Sequence, residues 1–236
     1  MIHGIPKVIY HIWINDNVLP KEFKENIKYI KNMNKDWKHI IYDDDMIIDF
    51  IQTYYGPKML SIYNKINPIF VPAKADLFRY LLLYIKGGVY LDIKSAMSKP
   101  LHEIITEEMY YLSHWEVKHS KHLFPPNGEF QNWWIITPPK HPFLKHVIDK
   151  VCDQILHCNG DEKGKMGVLN LTGPLIYTKV ILKLLHKYKH KIFNTAKDLG
   201  LIYNNVNVDH QSLFPNHYNL PKYRDTSVIL NCDIKK

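Results

Sequence analysis

Apolar and polar positions change period several times along the chain, and each change marks an element. Residues 8–14, VIYHIWI after Pro6, form a β-branched and aromatic run that predicts a buried first strand. Pro20 then opens a lysine-rich stretch over 20–33 in which Phe23, Ile27, Ile30 and Met33 recur at helical spacing. HIIYDDDMIIDFI reads as a strand through 40–42 passing into a helix, with Asp43 or Asp44 as its N-cap. Further helices are predicted over 57–65 and 72–86, and short strands over 89–93, 109–114 and 132–137. Two more helices follow, over 142–157 after HPF and 174–189 after TGP. Strands alternating with helices predict an α/β protein with a mainly parallel central sheet flanked by helices, one domain over 1–236.

The most informative stretch is PAKADLFRYLLLYIKGGVYLDIK, residues 72–94. Pro72 suits a first helical turn, and Gly87 with Gly88 allows a left-handed C-cap. Leu77, Phe78, Leu81, Leu82 and Ile85 form the stripe that faces the sheet, leaving Asp76, Arg79 and Tyr80 off its centre. Asp76 and Arg79 at i, i+3 read by themselves as a surface ion pair. The strand that follows immediately ends in Asp92. It can therefore bring Asp76, Arg79 and Asp92 together at one end of a sheet, where open α/β folds bind ligands. The triple aspartate at 43–45 suggests a metal site, but carboxylates that cap and complement a helix N-terminus are the simpler reading.

Charge changes this picture little. The net charge is +8, but only Arg79 and Arg224 are arginines, and a nucleic-acid groove draws on arginine for bidentate and stacking contacts, so no nucleic-acid partner is expected. Cys152, Cys158 and Cys232 show no CxxC or zinc spacing and read as free thiols in a reducing compartment. MIHGIPKVIYHIWIND lacks a basic segment followed by an unbroken apolar run, so no signal peptide is expected. No apolar run reaches membrane-spanning length, and a cytoplasmic location is expected. The polar loop over 115–132 suits a substrate-facing lid.

IPKVIYHIWI, AKADLFRY before GGVYLDI, NWWIITPPKHPF and LTGP together resemble the glycosyltransferases with a DXD motif, those related to yeast α-1,6-mannosyltransferase and to the catalytic domains of large clostridial glucosylating toxins. The resemblance runs over about residues 4 to 215, and DLFRYLLLYIKGGVYLD is its specific part. It implies a GT-A fold, a UDP- or GDP-linked sugar donor, a glycan or other hydroxyl acceptor, and hexosyl transfer with retention of configuration. The alternative is a catalytically silent protein of the same fold that binds a nucleotide sugar or glycan. Asp76 and Arg79 are implied to bind the donor sugar, and Asp92 the ribose and the metal shell. His11, Ile12, Trp13, Tyr80, Asn132, Thr172, Gly173 and Pro174 are implied to line the donor site. For Trp13 core packing competes with this role, and for Asn132 and Thr172 a turn cap does.

One position departs from the family. Where DXD has its second aspartate, a ligand for Mn²⁺ or Mg²⁺, this chain has Lys94, an ammonium with no lone pair to give. The family's C-terminal His-rich segment ending near Trp also has no counterpart in YRDTSVILNCDIKK; Asp209, His210 and His217 precede it at other spacings. Three readings stand. Lys94 replaces the metal at the diphosphate, on the same strand face as Asp92 by period-two geometry. A metal stays on Asp92 with Asp209 or His210. Or the site is silent.

Overall fold

The computed structural model describes residues 1–14, 18–115, 128–158, 162–206 and 229–230. Strand β1 (Val8–Ile12) lies between β2 (Lys38–Tyr42) and β3 (Gly88–Leu91) and runs parallel to both. Helix α1 (Lys21–Met33) links β1 to β2. The kinked helix α2 (Asp44–Asn64) and α3 (Val71–Lys86) lead from β2 to β3. Beyond β3 come β5 (Tyr110–Leu112), β6 (Trp134–Thr137) and β7 (His190–Ile192), giving a six-stranded sheet of order β2-β1-β3-β6-β5-β7. β6 is antiparallel to β3 and β5, while β5 and β7 are parallel, so β6 alone among these six strands runs against the rest.

Period-two alternation sorts the side chains into two layers. Tyr10, Ile12, Tyr90, Leu112 and Ile135 join the core beneath α2, α3, α5 (Pro142–His157), α6 (Gly164–Leu171) and α7 (Pro174–Leu182). Ile9, Val89, Leu91, Tyr111, Trp134 and Ile136 face the other way, onto Ile30 of α1 and Leu101 and Ile104 of the short α4 (Leu101–Ile104). On that side β4 (Ala96–Met97) pairs antiparallel with β8 (Leu201–Ile202).

The Gly-Gly link is sterically required. Gly87 caps α3 at φ +60°, where a Cβ would lie 2.5 Å from the Pro139 nitrogen. Gly88 starts β3 at φ +99°, where a Cβ would meet the Val8 carbonyl at 2.9 Å. Asp43 is the N-cap of α2, its Oδ1 accepting from the Met46 amide at 2.9 Å, so the aspartate run contains a helix cap. α2 continues to Asn64 through a break at Gly56 (φ +77°), because Pro57 disfavours helical backbone in the residue before it.

Several boundaries differ from the sequence reading. The helix expected over 174–189 stops at Leu182, and α6 was not anticipated, because Gly164 and Gly167 weaken its helical signal. The strands expected over 89–93, 109–114 and 132–137 are shorter, and β3 already ends at Leu91. No helix among the described residues is long and apolar enough to cross a membrane.

Candidate active site

β1, β2 and β3 are parallel, so their C-terminal ends open on one edge, and Asp92 stands there directly after β3. Its amide donates to the Trp133 carbonyl at 2.8 Å, holding it against the start of β6. α3 is buried on nearly every side, Asp76, Arg79 and Tyr80 included. A surface ion pair is therefore not what the i, i+3 spacing made; the pair sits inside the protein.

Arg79 organises this interior. Its Nη2 lies 3.3 Å from Asp76 Oδ1 and its Nη1 lies 3.3 Å from Asp92 Oδ1. Nη1 also donates to the Asn132 carbonyl at 2.6 Å, and Nε donates to the Ala75 carbonyl at 3.2 Å. The guanidinium stacks 4.5 Å from the centre of the Tyr90 ring, whose hydroxyl donates to Asp92 Oδ1 at 2.7 Å. Only 6% of Arg79 is exposed. Its donors serve protein acceptors, which makes it a clamp on the two carboxylates.

Asp76 is held from two further directions. Asn132 Nδ2 donates to its Oδ1 at 3.0 Å and to the Tyr80 hydroxyl at 2.8 Å, and Thr172 Oγ1 donates to its Oδ2 at 3.2 Å. Tyr80 in turn donates to the Thr172 carbonyl at 3.0 Å. Thr172 ends α6 and Gly173 caps α7, with Pro174 as that helix's first residue. A Cβ on Gly173 would lie 2.9 Å from the Leu169 Cα, so the close α6–α7 junction that presents Thr172 needs glycine there. Burial pushes the Asp76 carboxyl up to about 7; Arg79 opposes the shift, Asp92 adds to it, and the bonds from Thr172 and Asn132 oppose it. Near neutral pH it can thus accept or donate a hydrogen bond.

Asp76, Arg79, Tyr80, Asp92, Asn132 and Thr172 therefore form one network, with Gly173 and Pro174 at its border. The other donor-site candidates stand elsewhere. Trp13, just past β1, packs edge-on against Phe23 at 5.3 Å in a cluster with Ile93, the residue after Asp92. Ile12 is core. His11 is fully buried, its Nδ1 donating to the Leu91 carbonyl at 2.8 Å and its ring 6.3 Å from His39. It braces the end of β3 from behind.

Lys94 is not where period-two geometry put it. With β3 ending at Leu91, residues 92–95 form a turn closed by the Ser95 amide on the Asp92 carbonyl at 2.8 Å, so Asp92 and Lys94 share no strand face. The turn is held by a residue that sequence reasoning passed over. Asn26 Nδ2 donates to the Ile93 carbonyl at 3.1 Å and to the Ser95 carbonyl at 2.9 Å, from the buried face of α1. Its signal was a polar residue between Phe23 and Ile27 on the apolar stripe. Residues 201–206 close over the turn from outside. The Val206 amide donates to the Lys94 carbonyl at 3.1 Å, and Lys94 Nζ lies 5.8 Å from the centre of the Tyr203 ring. Among the described residues Lys94 has no ion-pair partner.

A divalent ion would find little here. Asp92 Oδ1 is already bound by Tyr90 and Arg79, and both Asp76 oxygens accept internal bonds. Among the described residues no group of three His, Cys, Asp or Glu side chains converges to hold a metal. The described donor set does not complete a hard-cation site, which needs about six oxygen ligands. Asp209 and His210 lie outside the described residues, as does most of the 115–132 loop.

Residues 20–111 match the protein family described as "Glycosyltransferase sugar-binding region containing DXD motif". The chain is 29% identical over 210 residues to the initiation-specific α-1,6-mannosyltransferase of Candida albicans, covering 77% of this chain and 53% of that protein. It spans about half the length of the curated relatives it matches. Among solved structures, the PaToxG glycosyltransferase superposes with a TM-score of 0.54 at 17% identity, covering 77% of this chain and 70% of that one. The catalytic domain of α-toxin from Clostridium novyi does so with a TM-score of 0.51 at 12% identity, covering 78% and 73%. Residues 20–111 are thus similar to the sugar-binding region of the DXD glycosyltransferases, and the fold is of the GT-A type.

Proposed function

We propose that the chain is a glycosyltransferase domain. It moves a hexose from a UDP- or GDP-linked donor to a hydroxyl of a glycan, with retention of configuration. The observation that carries this reading is the buried network of Asp76, Arg79, Asp92, Asn132 and Thr172 at the strand ends, inside or beside the family-matched region. A buried charged network is expensive to desolvate, and removing one partner leaves an uncompensated charge, so its assembly at a ligand edge fits a site more readily than a scaffold.

In this proposal Asp76 orients hydroxyls of the donor sugar, held by Thr172 and Asn132, and Asp92 meets the ribose and the diphosphate side. The donor's C1–O bond to the diphosphate breaks and a C1–O bond to the acceptor forms on the same face. The acceptor's proton passes to the leaving phosphate oxygen, so no protein base is required. Catalysis then rests on positioning and on stabilising the diphosphate's growing charge. Lys94 supplies that stabilisation in place of a second aspartate and its ion: its ammonium sits in the turn that carries Asp92 and is unpaired among the described residues. A reducing, intracellular setting, supported by the free thiols of Cys152 and Cys158, completes the proposal.

Turnover of UDP-glucose, UDP-N-acetylglucosamine and GDP-mannose, read as released nucleotide, tests it. Turnover of one donor that is lost in Asp76→Asn supports a transferase. Tight donor binding with no turnover, with or without Mn²⁺, replaces it by the silent nucleotide-sugar binder.

A further inference from the structure

The Asp92 turn has a second side, which the donor network leaves unused. Asn132 and Trp133 are neighbours but point apart: Asn132 reaches Asp76 and Tyr80, while Trp133 packs in the opposite layer of the sheet. There Trp133 meets Tyr203, with ring centres 5.2 Å apart, and Trp115 meets the same Tyr203 ring edge-on at 5.0 Å. Tyr203 is held by the β4–β8 pairing, since Ala96 pairs with Ile202 just after the 92–95 turn. Asn205 Nδ2 adds a long contact to Asn26 Oδ1, 3.4 Å, on the residue that grips that turn from within. The result is a step of three aromatic rings beside Asp92, with the Lys94 ammonium 5.8 Å from the outermost ring.

Tyr203 is 41% exposed although it packs on two tryptophans, and the buried Trp133 indole N–H has no hydrogen-bond partner among the described residues. An exposed aromatic ring backed by other rings, with an ammonium over it, matches a pyranose. Such a ring has an apolar C–H face for the aromatic surface and hydroxyls for the polar groups around it. A fixed aromatic also supplies this contact at small conformational cost.

We propose that Tyr203, backed by Trp115 and Trp133, is the acceptor subsite: it stacks the pyranose ring of the incoming glycan across the Asp92 turn from the donor-sugar network. The assignment rests on the transferase reading and gives it the missing half, since the donor sugar is placed by Asp76, Asn132 and Thr172 on the other side of that turn. Lys94 then stands at the junction of the two, its ammonium over the Tyr203 ring.

Saturation-transfer NMR with methyl α-mannopyranoside and methyl α-glucopyranoside as probes reads this subsite without requiring catalysis. Wild-type protein should saturate the ring protons of at least one glycoside, and Tyr203→Ala should weaken that binding by about tenfold, the loss of one stacking contact, while Tyr203→Phe keeps it. Asp76→Asn should leave the glycoside signal in place. Unaltered glycoside binding in a folded Tyr203→Ala, or no saturation of either probe in the wild type, overturns the proposal. So does a glycoside signal that vanishes with Asp76→Asn but survives Tyr203→Ala, which would put the sugar on the donor side. Absence of donor turnover in the wild type with the Tyr203-dependent glycoside signal intact would remove the transferase reading and leave the sugar subsite standing.

Discussion

Arg79 Nη1 lies 3.3 Å from Asp92 Oδ1, joining the middle of α3 to the residue just beyond β3, with the Gly87–Gly88 link between them. The same guanidinium holds Asp76 and the Asn132 carbonyl, so one side chain fixes the mutual placement of three segments. Arg79→Ala leaves Asp76 buried and uncompensated and should cost about 3–5 kcal/mol of stability, measured by urea unfolding. Arg79→Lys should fail to restore it, because one ammonium cannot reproduce a planar fork with four protein acceptors. A loss under about 1 kcal/mol in Arg79→Ala would show that the clamp is not formed in solution.

Asp76 gives a pH signature. Its carboxyl titrates near 7 in the fold against about 3.8 in the open chain, so the folded state holds its proton more tightly. Stability from this group is intact below about pH 4, falls as pH rises toward 7, and is constant above. Asp76→Asn removes the slope. Its stability relative to wild type should rise with pH inside that window, by up to about tenfold in the folding equilibrium per pH unit. A difference that does not change between pH 4 and 7 would contradict the buried, proton-holding carboxyl.

His11 acts in the opposite sense. Burial lowers its imidazole to about 4, so the folded state excludes the proton that the unfolded chain accepts below about 6.5. Stability from this group is present above pH 6.5 and is lost as pH falls toward 4. The neighbouring His39, also lowered to about 4, adds to that loss. In the intact chain these two rising slopes outweigh the falling one of Asp76, so wild-type stability should rise with pH between about 4 and 6.5, and more steeply still in Asp76→Asn. His11→Asn, which keeps a donor for Leu91, should flatten that rise on denaturant titration across about pH 4–6.5, since His39 and Asp76 then offset each other.

Lys94 decides the metal question. With its ammonium serving the diphosphate, wild-type donor turnover should persist in EDTA, and Lys94→Ala should lose about 10²–10³ in kcat, the scale of one preorganised charge contact. Lys94→Asp recreates DXD and should make the residual rate rise with added Mn²⁺. Wild-type activity abolished by EDTA and restored by Mn²⁺ would place an ion in the site and remove Lys94 from that role.

Asn26 offers a structural check on the same turn. Its amide satisfies two carbonyls inside the protein, so Asn26→Leu should cost about 1–3 kcal/mol and raise the KM for donor through the loosened Asp92 turn. Unchanged stability and KM would show that the β3 end holds the turn without it.

Local patterning made most of the fold legible. β-branched and aromatic runs marked β1, β2 and β3, the Phe23–Ile27–Ile30 spacing marked α1, and the Gly-Gly link between α3 and β3 followed from the positive φ both glycines take. Asp76, Arg79 and Asp92 stood out because a charged i, i+3 pair lay next to a strand ending in aspartate. Only tertiary structure decided that the pair is buried. The stripe on α3 showed one apolar face, while the packing of α5, α6 and the β6 segment around the helix enclosed the polar face too. It also decided that β3 ends at Leu91 and turns, which takes Lys94 off the strand. A strand's end is set by the long-range partners on its ladder, here the Trp133 carbonyl receiving the Asp92 amide, and no local period carries that information. The contacts of Asn26 and Tyr203 were illegible for the same reason, although Asn26 itself showed as a polar residue on an apolar stripe. Each meets the 92–95 turn from a distant part of the chain, and side chains brought together by packing alone leave no spacing to read.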